Sequence, residues 1–344
     1  MGTLRGKRAA VIGLGRMGLR HITAYQRAEA TVIAATDIKE EARKLAESQS
    51  PSLKTYANWK ELLMNEKMDI LSVATNGPSH AEIVVAAAEY KVPIIFCEKP
   101  MATNLADANQ MIAMCEKQNS KLFINLTLRV FPSFEKLITL LNSGAIGIVR
   151  HISVSMAGKR GLGCVGTHYI DLMRLITGSE VARAWGRIDK TGTPNPRGAQ
   201  FRDPGGYGIY EFKNGARGVI EMSEDLSHEP LMIIIGSRGK VIIDLAESRW
   251  DDKAPTRWEV HKTSDDDSGI VKIPFDAGEP MDIIEGTAKS FEAIVTGQGG
   301  VATGVEGKKA LEMVMGLHIS DARGNQLVEF PLKGKDLEFD VPMT

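Results

Sequence analysis

Cysteine is scarce in this 344-residue chain: there are 3, Cys97, Cys115 and Cys164, odd in number and widely spaced. That usage argues against a disulfide framework or a zinc knuckle and fits a reducing compartment, so a cytoplasmic location is expected. Charge of one sign is also lacking. Lys and Arg total 42 against 43 Asp and Glu, a formal net charge of −1. Neither nucleic acid nor a membrane surface is therefore expected as a partner. No stretch approaches about 18 continuous apolar residues, so no helical membrane span is expected. No signal peptide is read, because the first apolar run is short and already reads as a strand. The opening Met1-Gly2-Thr3-Leu4-Arg5-Gly6 puts Gly6 where a myristoylation signal needs Ser or Thr. No internal repeat of roughly 20–50 residues occurs, which sets aside solenoids and propellers. What remains is an ordinary globular composition, 43% hydrophobic, over a length comfortable for two domains.

Residues 1–125 alternate strand-like and helix-like patterns, the signature of a parallel sheet covered by helices. The stretch Ala9-Ala-Val-Ile-Gly-Leu-Gly-Arg-Met-Gly18 runs from an apolar strand into three glycines spaced G-x-G-x-x-G and then into a helix-compatible segment. Gly13 allows the tight turn, Gly15 lets a pyrophosphate approach the backbone, and Gly18 lets the helix pack closely on the sheet. The free N–H groups of the helix start would hold the phosphates. A second apolar run, Thr31–Thr36, ends in Asp37, about 20 residues on, where a carboxylate accepts the adenosine ribose hydroxyls and repels a 2′-phosphate. NAD is expected in preference to NADP. Asn58 reads as the N-cap of a helix over Trp59–Asn65. The strands Asp69–Ala74 and Val92–Cys97 exit into Thr75-Asn-Gly-Pro-Ser-His80 and Glu98-Lys99-Pro100. A Lys at the carboxyl end of a parallel strand lies where ligands bind in open α/β sheets, and it can orient or protonate an oxygen. The other reading of Lys99 is a surface lysine at a strand end.

From residue 126 to 344 strand-like runs follow one another: Ile148–Ser155, Arg183–Ile188, Gly208–Phe212, Arg217–Met222, Leu231–Ile235, Lys240–Asp244 and Trp258–His261. Asn214-Gly215 and Gly236-Ser-Arg-Gly239 mark hairpin turns. This half reads as an α+β domain with a large, mostly antiparallel open sheet and with helices over Ser133–Asn142, Val165–Ile176, Met281–Thr296 and Val305–Ala322. Residues 189–206 do not read as sheet, and a loop that long is functional or disordered. Asp265-Asp-Asp267 reads as a solvated turn, and no metal site is expected. In Cys164-Val-Gly-Thr-His168-Tyr-Ile-Asp171, a helix beginning near Val165 sets Cys164, His168 and Asp171 along one face. Asp171 can then hold the imidazole of His168 in one orientation for proton exchange. The same pattern also describes a core histidine with a helical partner.

The ordered set Gly13-x-Gly15-x-x-Gly18, Asp37, Glu98-Lys99-Pro100, Ser143-Gly-Ala-Ile-Gly147 and Gly166-x-His168-x-x-Asp171 resembles the Gfo/Idh/MocA family, and the resemblance covers essentially the whole chain. It implies an N-terminal Rossmann domain over 1–125. It also implies a substrate-binding and oligomerisation domain over 126–344, whose open sheet makes homodimer or homotetramer contacts. The implied function is an NAD(P)-dependent oxidoreductase moving a hydride between the nicotinamide and a carbinol or keto carbon of a sugar, cyclitol or sugar derivative. Lys99 and His168 match the catalytic residues, with Asp171 orienting His168. The expected cofactor set is Gly13, Gly15, Arg16, Met17, Gly18, Asp37, Ile38, Thr75, Asn76, His80, Glu98 and Lys99. The expected substrate contacts are Lys99, Arg129, Arg160, Cys164 and His168. The chain departs from the family at Cys164, where many members carry Asp; a thiol is only a weak hydrogen-bonding group. Two other readings carry forward: an NAD-retaining sugar lyase or glycosidase with no net redox change, and a non-catalytic nucleotide or sugar sensor.

Overall fold

The computed structural model describes residues 4–192, 194–195, 197–244, 257–264 and 268–344, with Arg160 described by its backbone alone. Asp265, Asp266 and Asp267, read as a solvated turn, lie outside the described residues. In chain order the elements are β1 (Arg8–Ile12), α1 (Arg16–Arg27), β2 (Thr31–Thr36), α2 (Glu40–Gln49), β3 (Lys54–Tyr56), α3 (Trp59–Asn65), β4 (Ile70–Val73), α4 (His80–Glu89), β5 (Ile94–Cys97), α5 (Leu105–Gln118) and β6 (Lys121–Ile124). Then follow α6 (Pro132–Asn142), β7 (Val149–Ser155), α7 (Thr167–Thr177), β8 (Val181–Ile188), β9 (Gly206–Phe212), β10 (Arg217–Met222), β11 (Leu231–Gly236), β12 (Gly239–Asp244), β13 (Arg257–Thr263) and β14 (Ile270–Ile273). The last are α8 (Ile283–Thr296), β15 (Ala302–Thr303), α9 (Gly304–Ala322) and β16 (Val328–Glu329). These elements fall into two compact units: residues 1–130 with 283–308 and 342–344, and residues 131–282 with 309–341.

The first unit is built on a sheet ordered β15-β6-β5-β4-β1-β2-β3. Strands β1 to β6 are parallel, and only the two-residue β15 runs antiparallel, against β6. This is the doubly wound Rossmann arrangement. The strand order reverses between β1 and β4, which opens a crevice at the carboxyl ends of those strands. Strand β4 is buried along its whole length, as expected of a strand covered on both faces. The Asn58 side chain accepts from the Lys60 N–H and starts α3. The last long helix of this unit, α8, packs along α1 and completes the core. There the Phe291 ring stacks on Tyr25 at 3.8 Å between centroids and meets the edge of Phe96 at 5.0 Å. A buried aromatic of this kind contributes about 1.5–3 kcal/mol through its apolar area.

The second unit is a nine-stranded sheet ordered β14-β13-β12-β11-β7-β10-β9-β8-β16. Every pairing is antiparallel except β7 with β10. Alternate residues of β8, β9 and β10 are buried, so one face of the sheet is covered and the other is open. Helix α9 lies against the covered face: a Cβ at Gly186 would stand 2.8 Å from the Leu317 Cβ and 3.0 Å from its Cα, so glycine lets the helix approach there. The Tyr210 hydroxyl donates to the Met313 carbonyl at 3.1 Å. The hairpins fall at Asn214-Gly215 and at Ser237-Arg238, the latter closed by the Gly236–Gly239 pair.

Two features differ from the pattern reading. Strands β3, β14, β15 and β16 are not legible in the sequence, because segments of 3, 4, 2 and 2 residues carry no period. Helix α7 begins at Thr167 rather than near Val165, and a π-helical turn over Leu162–Gly166 precedes it. Cys164 and His168 are thus not one regular α-helical turn apart, because a π turn spreads the residues it contains.

Candidate active site

The glycine turn between β1 and α1 assigns each glycine a separate physical task. Gly13 has φ +92°, and a Cβ there would meet the Ala74 carbonyl carbon at 2.7 Å and the Thr75 nitrogen at 2.8 Å, where the chain leaves β4. Gly18 is buried in the first turn of α1, and its Cβ would stand 1.8 Å from the Gly13 carbonyl oxygen. Gly15 is exposed and would meet nothing within 4 Å. The turn is therefore closed on the side of the sheet and bare backbone on the outside. A diphosphate needs that bare backbone to approach N–H groups at a helix start. Arg16 and Met17 follow at the surface of α1.

Asp37 closes the turn from the neighbouring strand. Its Oδ2 accepts the Leu14 N–H at 2.8 Å and its Oδ1 accepts the Lys39 N–H at 2.9 Å, while Gly13 donates to the Thr36 carbonyl at 2.8 Å. Arg43 of α2 donates to the Asp37 carbonyl at 2.8 Å and holds the backbone after β2. Ile38, 84% exposed, leaves an apolar side chain beside this carboxylate. A turn bare at Gly15, walled by glycine backbone and flanked by an acid at the end of β2, fits a dinucleotide.

Glu98, Lys99 and Pro100 follow β5, and the Lys99–Pro100 peptide is cis. Glu98 is buried. Its Oε1 accepts from His21 Nε2 at 2.9 Å and from Asn125 Nδ2 at 2.7 Å, and its Oε2 accepts the Lys99 N–H at 3.3 Å. Burial alone would push this carboxyl up, but the His21 hydrogen bond, the Lys99 charge and the Asn125 amide reverse that and hold it below the ordinary carboxylate range. Placed here as a buried carboxylate beneath Lys99, Glu98 is a support rather than a surface contact.

Two other expected contacts are redirected. His80 is fully buried, with Nδ1 at 2.9 Å from the Pro100 carbonyl and Nε2 at 3.1 Å from the Thr75 carbonyl. It ties the loop after β4 to the loop after β5 and presents no surface to a cofactor. Burial lowers its pKa despite those two carbonyls. Thr75 and Asn76, at the mouth of the same loop, remain accessible. Arg129 is also buried and pairs with Glu306 in the first turn of α9 at 3.0 Å, so its charge is spent within the first unit rather than offered to a substrate. The Arg160 side chain, expected to contact substrate, lies outside the described residues.

In the second unit, Cys164, His168 and Asp171 are all buried, His168 4% and Asp171 1% exposed. The residues that shape this segment come from the loop between β8 and β9. The Asp203 carboxylate accepts the Gly163 and Cys164 N–H groups, each at 2.7 Å, and so caps the π turn. Gly161, at φ +78°, passes so close to Asp203 that a Cβ would overlap it. Arg197 donates to the Cys164 sulfur at 3.3 Å. The thiol of Cys164, expected as a substrate contact, therefore sits between a guanidinium and a capped helix start.

His21, Asn125, Asp203 and Arg197 were not foreseen. His21 carried one usable signal: it stands three residues after Gly18, on the buried side of an otherwise polar helix. Among the described residues no group of three or more His, Cys, Asp and Glu could hold a metal ion, and no helix is long and apolar enough to cross a membrane.

Residues 7–126 match the family profile described as an oxidoreductase family with an NAD-binding Rossmann fold, and residues 134–242 match the Gfo/Idh/MocA C-terminal domain. The chain belongs to the Gfo/Idh/MocA family. Its N-terminal unit is that family's NAD-binding Rossmann domain. Among curated relatives, the myo-inositol 2-dehydrogenase of Thermotoga maritima is 28% identical over 261 residues, 69% of this chain and 75% of that one. A D-apiose dehydrogenase of Paraburkholderia graminis is 32% identical over 146 residues, 42% of this chain and 39% of that one. An oxidoreductase of Agrobacterium radiobacter, solved with NAD+, L-tartaric acid and magnesium, shares the fold with a TM-score of 0.76 at 22% identity, over 94% of this chain and 98% of that one.

Proposed function

We propose that this Gfo/Idh/MocA protein is an NAD-dependent dehydrogenase or reductase acting on a carbinol or keto carbon of a sugar, cyclitol or sugar derivative. The observation that carries the reading is the glycine turn with Asp37 at its mouth and Lys99 leaving the same sheet two strands away. The sugar and cyclitol dehydrogenases among its relatives support the substrate class. Gly13, Gly15, Gly18, Asp37 and Ile38 would hold the dinucleotide, which when bound supplies hydride acceptance or donation at its nicotinamide. Lys99 polarises the reacting oxygen. His168 exchanges the proton with it, and Asp171 keeps that imidazole in one orientation. Assaying the purified chain against a panel of cyclitols, aldoses and polyols with NAD+, following absorbance at the nicotinamide band, tests this. Net NADH formation on one member is expected; bound NAD with product but no net NADH, or binding without turnover, would overturn it.

Asp37 sets the cofactor preference. Replacing it by Ala removes a charge-assisted acceptor of about 1.5–3 kcal/mol, so NAD affinity is expected to fall at least about tenfold and the bias against NADP to shrink. Titrating parent and variant with each cofactor checks this, and equal or tighter NADP binding by the parent would defeat the assignment.

The open face of the nine-stranded sheet is read as the contact with a second copy. Trp185, Ile209, Val219, Ser153, Ile233 and Ile242 are successive cross-strand partners and form a largely apolar row over six strands. Ile209, at 43% exposure, lies within it. Light scattering on the parent is expected to give a dimer or tetramer, and Ile209→Asp a smaller species; a monomeric parent would refute the reading.

A further inference from the structure

The first unit contains a buried polar assembly that the proposed chemistry leaves without a task. His21 is fully buried on α1, one turn past Gly18, among the rings of Phe96, at 5.6 Å between centroids, and Phe291, at 5.8 Å. Its Nε2 faces Glu98 Oε1 at 2.9 Å. Its Nδ1 is buried and meets no hydrogen-bond partner among the described residues. A proton on Nδ1 would be an unsatisfied buried donor, so the ring's hydrogen belongs on Nε2, pointed at the carboxylate. Asn125, at the end of β6, donates to the same oxygen at 2.7 Å, and Thr127 in turn donates to the Asn125 carbonyl oxygen at 2.8 Å. The other carboxylate oxygen accepts the backbone N–H of Lys99 at 3.3 Å. One carboxylate thus gathers α1, β6 and the residue after β5.

A buried carboxylate is costly unless its oxygens are satisfied. Packing an aromatic cage around a histidine that uses one nitrogen is likewise a poor way to fill a core that Phe would fill better. The arrangement makes sense if the position of Glu98, and through it the backbone of Lys99, must be held in a fixed relation to the helix that starts at the glycine turn. We propose that His21, acting through Glu98, is a positioning residue that sets where the Lys99 side chain leaves the sheet relative to the dinucleotide turn. Asn125 is its second support. The inference rests on Lys99 being the residue that polarises the reacting oxygen.

His21→Phe keeps the ring and its packing and deletes the donor; His21→Gln restores an N–H at the reach of Nε2. Crystal structures of parent and His21→Phe, each with NAD+, are expected to differ by more than about 1 Å at Lys99 Nζ while the Gly13–Gly18 backbone superposes. With whichever panel substrate is turned over, kcat is expected to fall at least about tenfold in His21→Phe, with the NAD dissociation constant and KM within about twofold, and to recover in His21→Gln. Lys99→Met is measured alongside. If Lys99→Met is inactive while His21→Phe keeps its kcat and the Lys99 position, the proposal is overturned and the catalytic lysine stands. If Lys99→Met keeps full activity, the catalytic reading fails on its own account. If His21→Phe loses stability, NAD binding and kcat together and His21→Gln recovers none of them, the pair is merely structural. Should His21→Phe not fold, Glu98→Gln carries the same structural and kinetic comparison.

Discussion

Lys99→Met is expected to lower turnover by about 10²–10⁴-fold, the range for loss of a positioned proton-transfer or polarising group, while NAD binding stays within about twofold. The variant keeps the length and apolar stem of the side chain and removes only the ammonium. The backbone it leaves is held independently, by Glu98 at the Lys99 N–H and by His80 at the Pro100 carbonyl, so the loop should keep its shape. His168→Ala is expected to lower kcat by a similar factor, with a small change in NAD affinity. If the two residues serve one proton path, the double variant is no slower than the worse single one, because residues acting as a unit are not additive. Fluorescence titration with NADH and initial rates on a panel substrate measure both quantities. Full activity in both single variants would remove Lys99 and His168 from the reaction, and NAD affinity falling in step with kcat would recast Lys99 as a cofactor contact.

Much of the first unit was legible because its chemistry is local. The turn Gly13–Gly18 is contiguous, and Asp37 lies at the end of the next strand. Lys99 sits at the carboxyl end of a strand whose apolar run is plain. Those features follow from short-range geometry, which residue order encodes directly. The supports under them did not show, because they join residues that only the strand order brings together. His21 reaches Glu98 across 77 positions, and Arg129 reaches Glu306 across 177. An acid beside a lysine at a strand end reads as a pair facing solvent; whether it turns inward depends on whether a donor waits inside, and His21 is that donor. The same logic governs Asp203. Nothing in Arg202-Asp-Pro204 marks a cap, yet its carboxylate starts the segment that carries Cys164, 39 residues away. The π turn before α7 was hidden for the same reason, since the cap that permits it comes from another loop. Periodicity located the strands of the open sheet to within a residue or two, but it could not detect edge strands too short to hold a period.

Gly18→Ala is expected to destabilise the free protein where Gly15→Ala leaves it near the parent, and both are expected to weaken NAD binding. At Gly15 the backbone is extended, with φ −66° and ψ −172°, a conformation alanine adopts freely, and a Cβ meets nothing within 4 Å. Alanine there restricts the unfolded chain, a gain of about 0.4–1 kcal/mol, but Gly15 is also the N-cap of α1, where alanine is worse than glycine by a similar amount, so the free protein should keep about the parent's stability. Gly18 is a helical position, where alanine is ordinarily better than glycine by about 1 kcal/mol. Here that gain is outweighed, because the new Cβ would stand 1.8 Å from the Gly13 carbonyl oxygen. That oxygen belongs to a turn wedged against the backbone at Ala74 and Thr75, so it cannot retreat without parting β1 from β4. Overpacking of this kind costs about 1–3 kcal/mol, so the melting temperature should fall. NAD binding should weaken in both variants, at Gly15 because a methyl now covers the bare backbone where the diphosphate approaches, and at Gly18 because the turn itself is displaced. Thermal unfolding with and without saturating NAD separates the effects. Gly15→Ala should melt close to the parent without cofactor and gain less than the parent when it is added; Gly18→Ala should melt lower in both conditions. A Gly15→Ala protein that binds NAD as tightly as the parent would show that the diphosphate does not lie against this turn.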